Sequence, residues 1–266
     1  MKIAHEAPIS IFNAIQRATD YDYALVHMFE ENPRYWRHFR DAVINGREVL
    51  LDNSIFELGT AFDSGKYVEW INKLEPTWFI IPDVLEDTDG TIAKFNEWMT
   101  TYDSQAYKFS KRIGVIQGKS YEDIVRCYKF IEPNVDKVAI SFDFSYYSLN
   151  FEGPTHWHRL MAGRIATLDR LLGDGVINVK KPHHLLGCSL PQEFKHYSAD
   201  KLKYEWIDSL DTSNPVVHGL NNVNYSENGL EDKISTKLIE YMNEEVDMVE
   251  YLTIIRNIEI FRSFCR

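Results

Sequence analysis

Residues 112–131 read RIGVIQGKSYEDIVRCYKFI. The apolar run Ile113-Gly114-Val115-Ile116 stops at Gln117, and from Tyr121 to Ile131 apolar and polar residues alternate at helical spacing. A continuous apolar run of this length reads as a strand buried on both faces, as parallel sheets require because helices cover them. The same unit recurs along the chain. Leu50-Leu51 stops at Asp52, Phe79-Ile80-Ile81 at Pro82-Asp83, Val138-Ala139-Ile140 at Ser141 and Asp143, and Trp206-Ile207 at Asp208 and Asp211. Eight strands are expected: Tyr23 to Phe29, Glu48 to Asn53, Trp78 to Asp83, Arg112 to Gly118, Lys137 to Asp143, His183 to Cys188, Glu205 to Leu210, and a weak one at Val216 to Gly219. Helical spacing fills the intervals, at Pro33 to Ile44, Lys66 to Leu74, Thr88 to Met99, Tyr121 to Ile131 and Trp157 to Leu172. Strands alternating with helices imply βαβ units, and right-handed crossovers repeated eight times close into an α/β fold of the (β/α)8 TIM-barrel kind. In such a barrel, polar residues at the carboxyl ends of successive strands mark the face that carries chemistry.

The chain's 266 residues suit a single barrel, for which ~250 is typical. No stretch rich in Gly, Pro or Ser and no repeat divides it, so one domain is expected over residues 1–266, with the barrel at about 20–220. From Glu231 to Phe261 apolar residues recur as in two successive helices or one long one, a helical extension at about 230–263. Pro191 marks where another helix begins, with Ser189 as its candidate cap.

Composition narrows the function classes. No run is long and apolar enough to span a bilayer, and MKIAHEAPIS lacks the apolar core of a secretory signal, so a cytoplasmic protein without membrane contact is expected. Cys127, Cys188 and Cys265 lie far apart, which suggests neither a disulfide framework nor a zinc site. His156, His158, His183 and His184 lack a third ligand at a supporting spacing, so no metal is expected. A net charge of -11 weighs against a polyanionic partner, yet eight of the acids fall between Glu227 and Glu250. Lys180, Lys181, Lys195, Lys201 and Lys203, with His183, His184 and His196, form a locally basic region. Lys180 and Lys181 are the candidates for a nucleic-acid backbone contact. The sequence leaves a homodimer open.

One Asp at a strand end is ordinarily a turn-former or a helix cap. Three with a Gln on successive parallel strands would be brought to one rim by barrel closure. Two carboxylates across a pocket suit chemistry at an anomeric carbon: one attacks to form a glycosyl ester, and the other handles the leaving group's proton. A further carboxylate and an amide can read the hydrogen-bonding edge of a polar heterocycle.

The residues also resemble a known family. WIDSLDTSNP, residues 206–215, is similar to the nucleophile segment of tRNA-guanine transglycosylases, in which two aspartates lie three apart and a proline follows four residues after the second. That match implies Asp211 as nucleophile with Asp208 structural, whereas a registration anchored on His218-Gly219 makes Asp208 the nucleophile. LLDNSIFELG resembles the family's DSGG-aromatic-Q segment, which implies Asp52 for acid/base work, Phe56 stacked on the base and Asn53 as a further substrate contact. FIIPDVLED implies Asp83 as the base-recognising aspartate, and RIGVIQGKSYED implies Gln117 and Gly118 as base contacts. HLLGCSLPQEF is similar to the LMGVGxPEDL segment that follows. The resemblance covers about residues 48 to 219, five short motifs in the right order.

Departures accompany it. Ser54-Ile55 stands where the family has a double glycine, and Ile140-Ser141-Phe142-Asp143 where it has a GG-L segment, leaving Ser141 and Asp143 as candidate substrate contacts. The zinc motif of the tRNA enzymes is absent, so the chain looks more like the small zinc-free phage and bacterial DNA transglycosylases. The resemblance thus implies DNA as partner, with tRNA the alternative, free guanine and 7-deazaguanine bases as the exchanging species, and no cofactor. Such an enzyme takes the target guanosine out of the base stack, at a cost of a few kcal/mol. Two other readings stay open: a nucleoside or glycoside hydrolase using the same carboxylates with water, and a non-catalytic binding subunit.

Overall fold

A computed structural model describes all 266 residues, Met1–Arg266. It has eight strands: β1 (Lys2–Ala4), β2 (Asp22–Leu25), β3 (Val49–Asp52), β4 (Trp78–Ile80), β5 (Lys111–Ile116), β6 (Lys137–Ser141), β7 (His183–Leu186) and β8 (Ile207–Asp211). The helices are α1 (Phe12–Gln16), α2 (Met28–Glu31), α3 (Pro33–Ile44), α4 (Ile55–Leu58), α5 (Ser64–Leu74) and α6 (Thr88–Glu97). They continue with α7 (Tyr121–Ile131), α8 (Ser145–Asn150), α9 (His156–Gly173), α10 (Glu193–Ala199), α11 (Asn214–Leu220) and α12 (Met248–Phe264). The strands are parallel and ordered β1-β8-β7-β6-β5-β4-β3-β2, so that from β2 to β8 each neighbours its successor and the first meets the last. This is the α/β fold of a (β/α)8 TIM barrel. No helix is long and apolar enough to cross a membrane.

Contacts gather the chain into two compact units, one of Met1–Asp20, Phe142–Lys180 and Leu185–Arg266, the other of Tyr21–Ser141 and Lys181–His184. In the second unit β2 to β6 pair in sequence, with Leu25 opposite Asp52, Leu51 opposite Phe79, Ile80 opposite Ile113 and Ile116 opposite Ile140. Its helices start where capping chemistry dictates. Asn32 accepts from the backbone N–H groups of Arg34 and Tyr35, with Pro33 at the first helical position of α3. Ser120 does the same for Asp123 at the start of α7. The core includes Tyr67, Phe79 and Trp98, packed ring against ring. Burying each such side chain contributes roughly 1.5–3 kcal/mol relative to exposure.

The first unit departs from expectation at both ends. Val216 to Gly219 is not a strand but lies within α11, because Pro215 occupies the first turn, where its missing N–H costs nothing, and Thr212 Oγ1 accepts from Asn214 N at 3.0 Å. The strand that completes the set is β1, whose Ile3 and Ala4 pair with Leu210 and Asp211 of β8. The barrel therefore begins at residue 2 rather than near 20. Helix also fails to fill Glu231 to Phe261. Residues 231–237 have no regular structure: Lys233 Nζ donates to the Cys188 carbonyl at 2.6 Å, and the Ile234 N–H to His218 Nε2 at 3.3 Å. A single 3-10 turn, Leu238–Tyr241, precedes α12, which opens on a capping box between Asp247 and Glu250. Ser189 caps nothing, since α10 begins at Glu193 after Gln192.

Candidate functional site

In the second unit the strand ends carry a connected polar group. Asp83, three residues beyond β4 and buried, accepts at Oδ1 from Asn53 Nδ2 (2.8 Å) and at Oδ2 from Gln117 Nε2 (2.7 Å). Asn53 Nδ2 also donates to the Ile81 carbonyl at 3.2 Å, and Asn53 Oδ1 accepts from Ile55 N at 3.0 Å. Gln117 is held at every polar atom. Its Oε1 accepts from Glu86 N at 2.9 Å, its carbonyl accepts from Thr88 Oγ1 at 2.6 Å, and its N–H lies 3.3 Å from Cys127 Sγ. Burial pushes the Cys127 thiol up to about 11, so this sulfur receives the Gln117 N–H as a neutral thiol. Two amide side chains, at the ends of β3 and β5, thus converge on the carboxylate that follows β4 between them, as the sequence suggested for Asp83 and Gln117.

Asp52 ends β3, buried, with Oδ2 accepting from Ser54 N at 3.0 Å. That bond closes a tight turn in which Ser54 takes a left-handed conformation, φ 60°. A non-glycine residue there costs of order 1–3 kcal/mol and persists only where its surroundings over-determine it. Phe56 follows in α4, 40% exposed. Gly118 has a packing reason: a Cβ there would lie 2.8 Å from the Ile124 backbone nitrogen, so the start of α7 approaches too closely for any side chain. Ser141 ends β6, half-buried. The Lys181 ammonium donates to the carbonyls of Val135 (2.7 Å) and Glu132 and pairs with the Glu132 carboxylate at 3.2 Å. It serves the unit's own loops, and of the two lysines expected on a nucleic-acid backbone only Lys180 is exposed.

His27 belongs to this group and was missed. It is buried two residues past β2, its backbone N–H directed to Ser54 Oγ at 3.4 Å and its ring Nδ1 without a hydrogen-bond partner. Burial lowers its pKa, which keeps the ring neutral. Ala24-Leu25-Val26 stopping at His27 is the same apolar-then-polar pattern that marks Gln117, hidden when the strand is read through to Phe29. His183 and His184 are buried in β7. His183 Nδ1 donates to the Lys181 carbonyl (2.8 Å) and Nε2 accepts from Tyr128 Oη (2.9 Å), while His184 stacks on Tyr23. No cluster of three metal-ligating side chains occurs in the structure.

In the first unit Asp211 is the last residue of β8, buried, with Oδ1 accepting from the Gly187 N–H at 3.3 Å. Asp208 is the second residue of the same strand and half-buried. A three-residue separation turns two side chains to opposite faces of a strand. Only Asp211 stands at the carboxyl end, where barrel chemistry is placed. Asp143 lies in the loop after β6, near enough to Lys233 to favour its charged form. The Lys233 ammonium sits over the Phe142 and Trp157 rings at 4.2 and 4.9 Å, and burial brings its pKa down to about 8.

No family model matches this sequence, and no curated protein matches it. Among solved structures, a dihydrodipicolinate synthase is similar over 76% of this chain and 73% of its own, at 14% identity and a TM-score of 0.36. A mandelate racemase/muconate lactonizing enzyme-like protein from Rubrobacter xylanophilus is similar over 93% of this chain and 70% of its own, at 13% identity and a TM-score of 0.46. Neither likeness bears on the chemistry of the strand ends.

Proposed function

We propose that the protein is a base-exchange transglycosylase that replaces guanine in DNA with a 7-deazaguanine derivative. The observation that carries this reading is the buried Asp83 carboxylate with the Asn53 and Gln117 amides on its two oxygens. Guanine presents N–H donors beside a carbonyl acceptor along one edge, and a carboxylate grouped with amides offers the complementary set. A glycoside hydrolase needs carboxylates at the sugar but has no use for such an edge reader. The turn after Asp52 adds support: where the resembled family has glycine, Ser54 adopts the left-handed backbone that glycine would supply.

On this reading Asp211 attacks the anomeric carbon. The new C–O bond forms as the bond to the guanine nitrogen breaks, and the departing electron pair goes to that nitrogen, which takes a proton from Asp52. Asp52, now a carboxylate, removes the ring N–H proton of the incoming base. That nitrogen attacks the same carbon, and the Asp211 ester leaves as carboxylate, so charge and protons return to their starting places. Phe56 stacks on the base, Asp83 and Gln117 bond its edge, and Lys180 contacts the backbone.

The test is incubation with labelled guanine and either duplex DNA or tRNA. Label should enter DNA, vanish with Asp211→Ala or Asp52→Ala, and persist with Asp208→Ala. No label in either polymer overturns the reading, and release of base without incorporation replaces it with a hydrolase. Label in tRNA alone overturns the choice of DNA.

A further inference from the structure

The first unit buries an ion pair that no step above uses. Arg164, on α9, and Glu193, the first residue of α10, have no exposed surface. They meet in a two-pronged pair, Nε to Oε1 at 2.7 Å and Nη2 to Oε2 at 3.0 Å. Tyr197 Oη donates to Glu193 Oε1 at 2.7 Å. The rest of the guanidinium is spent on the turn after β7: Nη1 donates to the Leu186 carbonyl at 2.9 Å and Nη2 to the Gly187 carbonyl at 3.0 Å. Leu186 C=O and Gly187 N–H are the two ends of one peptide group. The cation therefore sits on the oxygen of the peptide whose N–H reaches Asp211. A hydrogen bond accepted at a peptide oxygen polarises the amide and strengthens what its N–H donates.

The turn is braced on several sides. Gly187 is left-handed, φ 63°, and a Cβ there would lie 2.5 Å from the Phe142 ring. The next two carbonyls are held as well, Cys188 by Lys233 Nζ at 2.6 Å and Ser189 by Asn214 Nδ2 at 3.2 Å. Four consecutive carbonyls are bonded to side chains, which restrains the Gly187 N–H in its orientation toward the carboxylate. Burial alone disfavours the Arg164 charge, but Glu193 more than compensates and its pKa stands above the ordinary value. The clamp is permanently cationic.

We infer that Arg164 is a positioning residue for Asp211, acting through the Leu186–Gly187 peptide to fix and polarise an N–H that reaches the carboxylate. The inference builds on Asp211 as the nucleophile of the proposed exchange. Removing Arg164 alone would strand a buried carboxylate and endanger folding. The paired variant Arg164→Met/Glu193→Leu removes both charges, and Arg164→Lys keeps the charge while losing the planar fork.

In protein labelled with 15N-glycine, the Gly187 amide is first identified by its response to Asp211→Asn, which removes the acceptor's charge. In folded Arg164→Met/Glu193→Leu the same resonance should move in that direction, and the two effects should not add when combined. Arg164→Lys should fall between. In the exchange assay, kcat should drop on the order of 10- to 100-fold, the scale of a displacement of up to an ångström at a reacting group, with KM nearly unchanged. A Gly187 resonance that stays put in the folded paired variant overturns the inference, whether or not the protein exchanges bases. A resonance that moves as expected in a protein with no exchange activity upholds the clamp and overturns the transglycosylase reading alone.

Discussion

Replacing Gln117 with Leu tests the strand-end network with a magnitude that the structure supplies. The substitution keeps most of the side-chain volume and removes two hydrogen bonds. One is the charge-assisted bond from Nε2 to Asp83 Oδ2 at 2.7 Å, of a class that contributes about 1.5–3 kcal/mol. The other is the neutral bond from Glu86 N to Oε1 at 2.9 Å, contributing about 0.5–1.5 kcal/mol. Backbone bonds survive, since the Gln117 carbonyl and N–H still meet Thr88 and Cys127. Leucine recovers some apolar burial, so a net loss of roughly 2–4 kcal/mol is expected. At the sensitivity of a chain this size, about 2–4 °C per kcal/mol, the thermal midpoint should fall by roughly 4–16 °C.

Urea denaturation of native and Gln117→Leu protein measures the loss directly, and an unchanged slope confirms that the same surface is exposed on unfolding. Gln117→Glu serves as the contrast. It places a second carboxylate against Asp83 in a buried site, and should destabilise at neutral pH more than Leu does and recover toward acid as the pair takes up a proton. A loss below about 1 kcal/mol for Leu would refute the reasoning, because it would mean that Asp83 does not depend on Gln117. Equal behaviour of Leu and Glu across pH would refute the placement of Gln117 beside a carboxylate.

Two further outcomes follow from buried titratable groups. His183, held neutral between Tyr128 and the Lys181 carbonyl, has its pKa brought down to about 4 by burial, and His5 is brought down to about 3. Above pH 6.5 neither imidazole affects the balance. Below it the unfolded chain binds protons that the native state refuses until about pH 4, so stability should fall as pH drops through that window. His183→Gln should flatten the slope between pH 6.5 and 4 in pH-dependent urea titrations, and an unchanged slope would contradict the assignment. Burial likewise pushes the Cys127 thiol up to about 11 and Cys265 up to about 12, and raises Cys188. A disulfide reagent at pH 8 should leave all three cysteines unlabelled in the native protein and label all three in denaturant, whereas rapid native labelling would show an exposed thiolate.

Sequence pattern located most elements because local chemistry specifies them. The bounds of α3 and α7 follow from Asn32-Pro33 and from Ser120 with Asp123, interactions made within one turn. Most strand cores were legible too, but several apolar runs outlast their ladders. Trp78 to Asp83 holds only Trp78–Ile80 in β4, and His183 to Cys188 only His183–Leu186 in β7. Side chains such as Cys188 stay buried beyond the last strand residue, so burial outlasts the strand. Strand β1 escaped because three residues carry too little pattern to be read. Val216-Val217 misled because a β-branched pair outweighed the Pro215 helix start.

The site divides in the same way. Asp83 and Gln117 could be found because a strand end is a local event. Arg164 could not, because a charged residue in an amphipathic helix reads as a solvent face, and only Glu193, 29 residues away, makes it interior. The two proposed carboxylates differ in how they are held, and the difference matches the work assigned to each. Asp83 receives hydrogen bonds from the side-chain amides of Asn53 and Gln117, which are braced in turn by Ile81, Ile55 and Glu86. A base reader must present the same edge to the departing and the incoming base, which a braced network of side chains preserves. Asp211 receives a bond from a backbone N–H, in a turn whose carbonyls are tied to Arg164, Lys233 and Asn214. A nucleophile gains from immobility, since each degree of freedom fixed before reaction is one the transition state need not freeze. A softer turn at Gly187 should therefore slow the attack at the sugar, while a softer Asn53 should blur the choice of base.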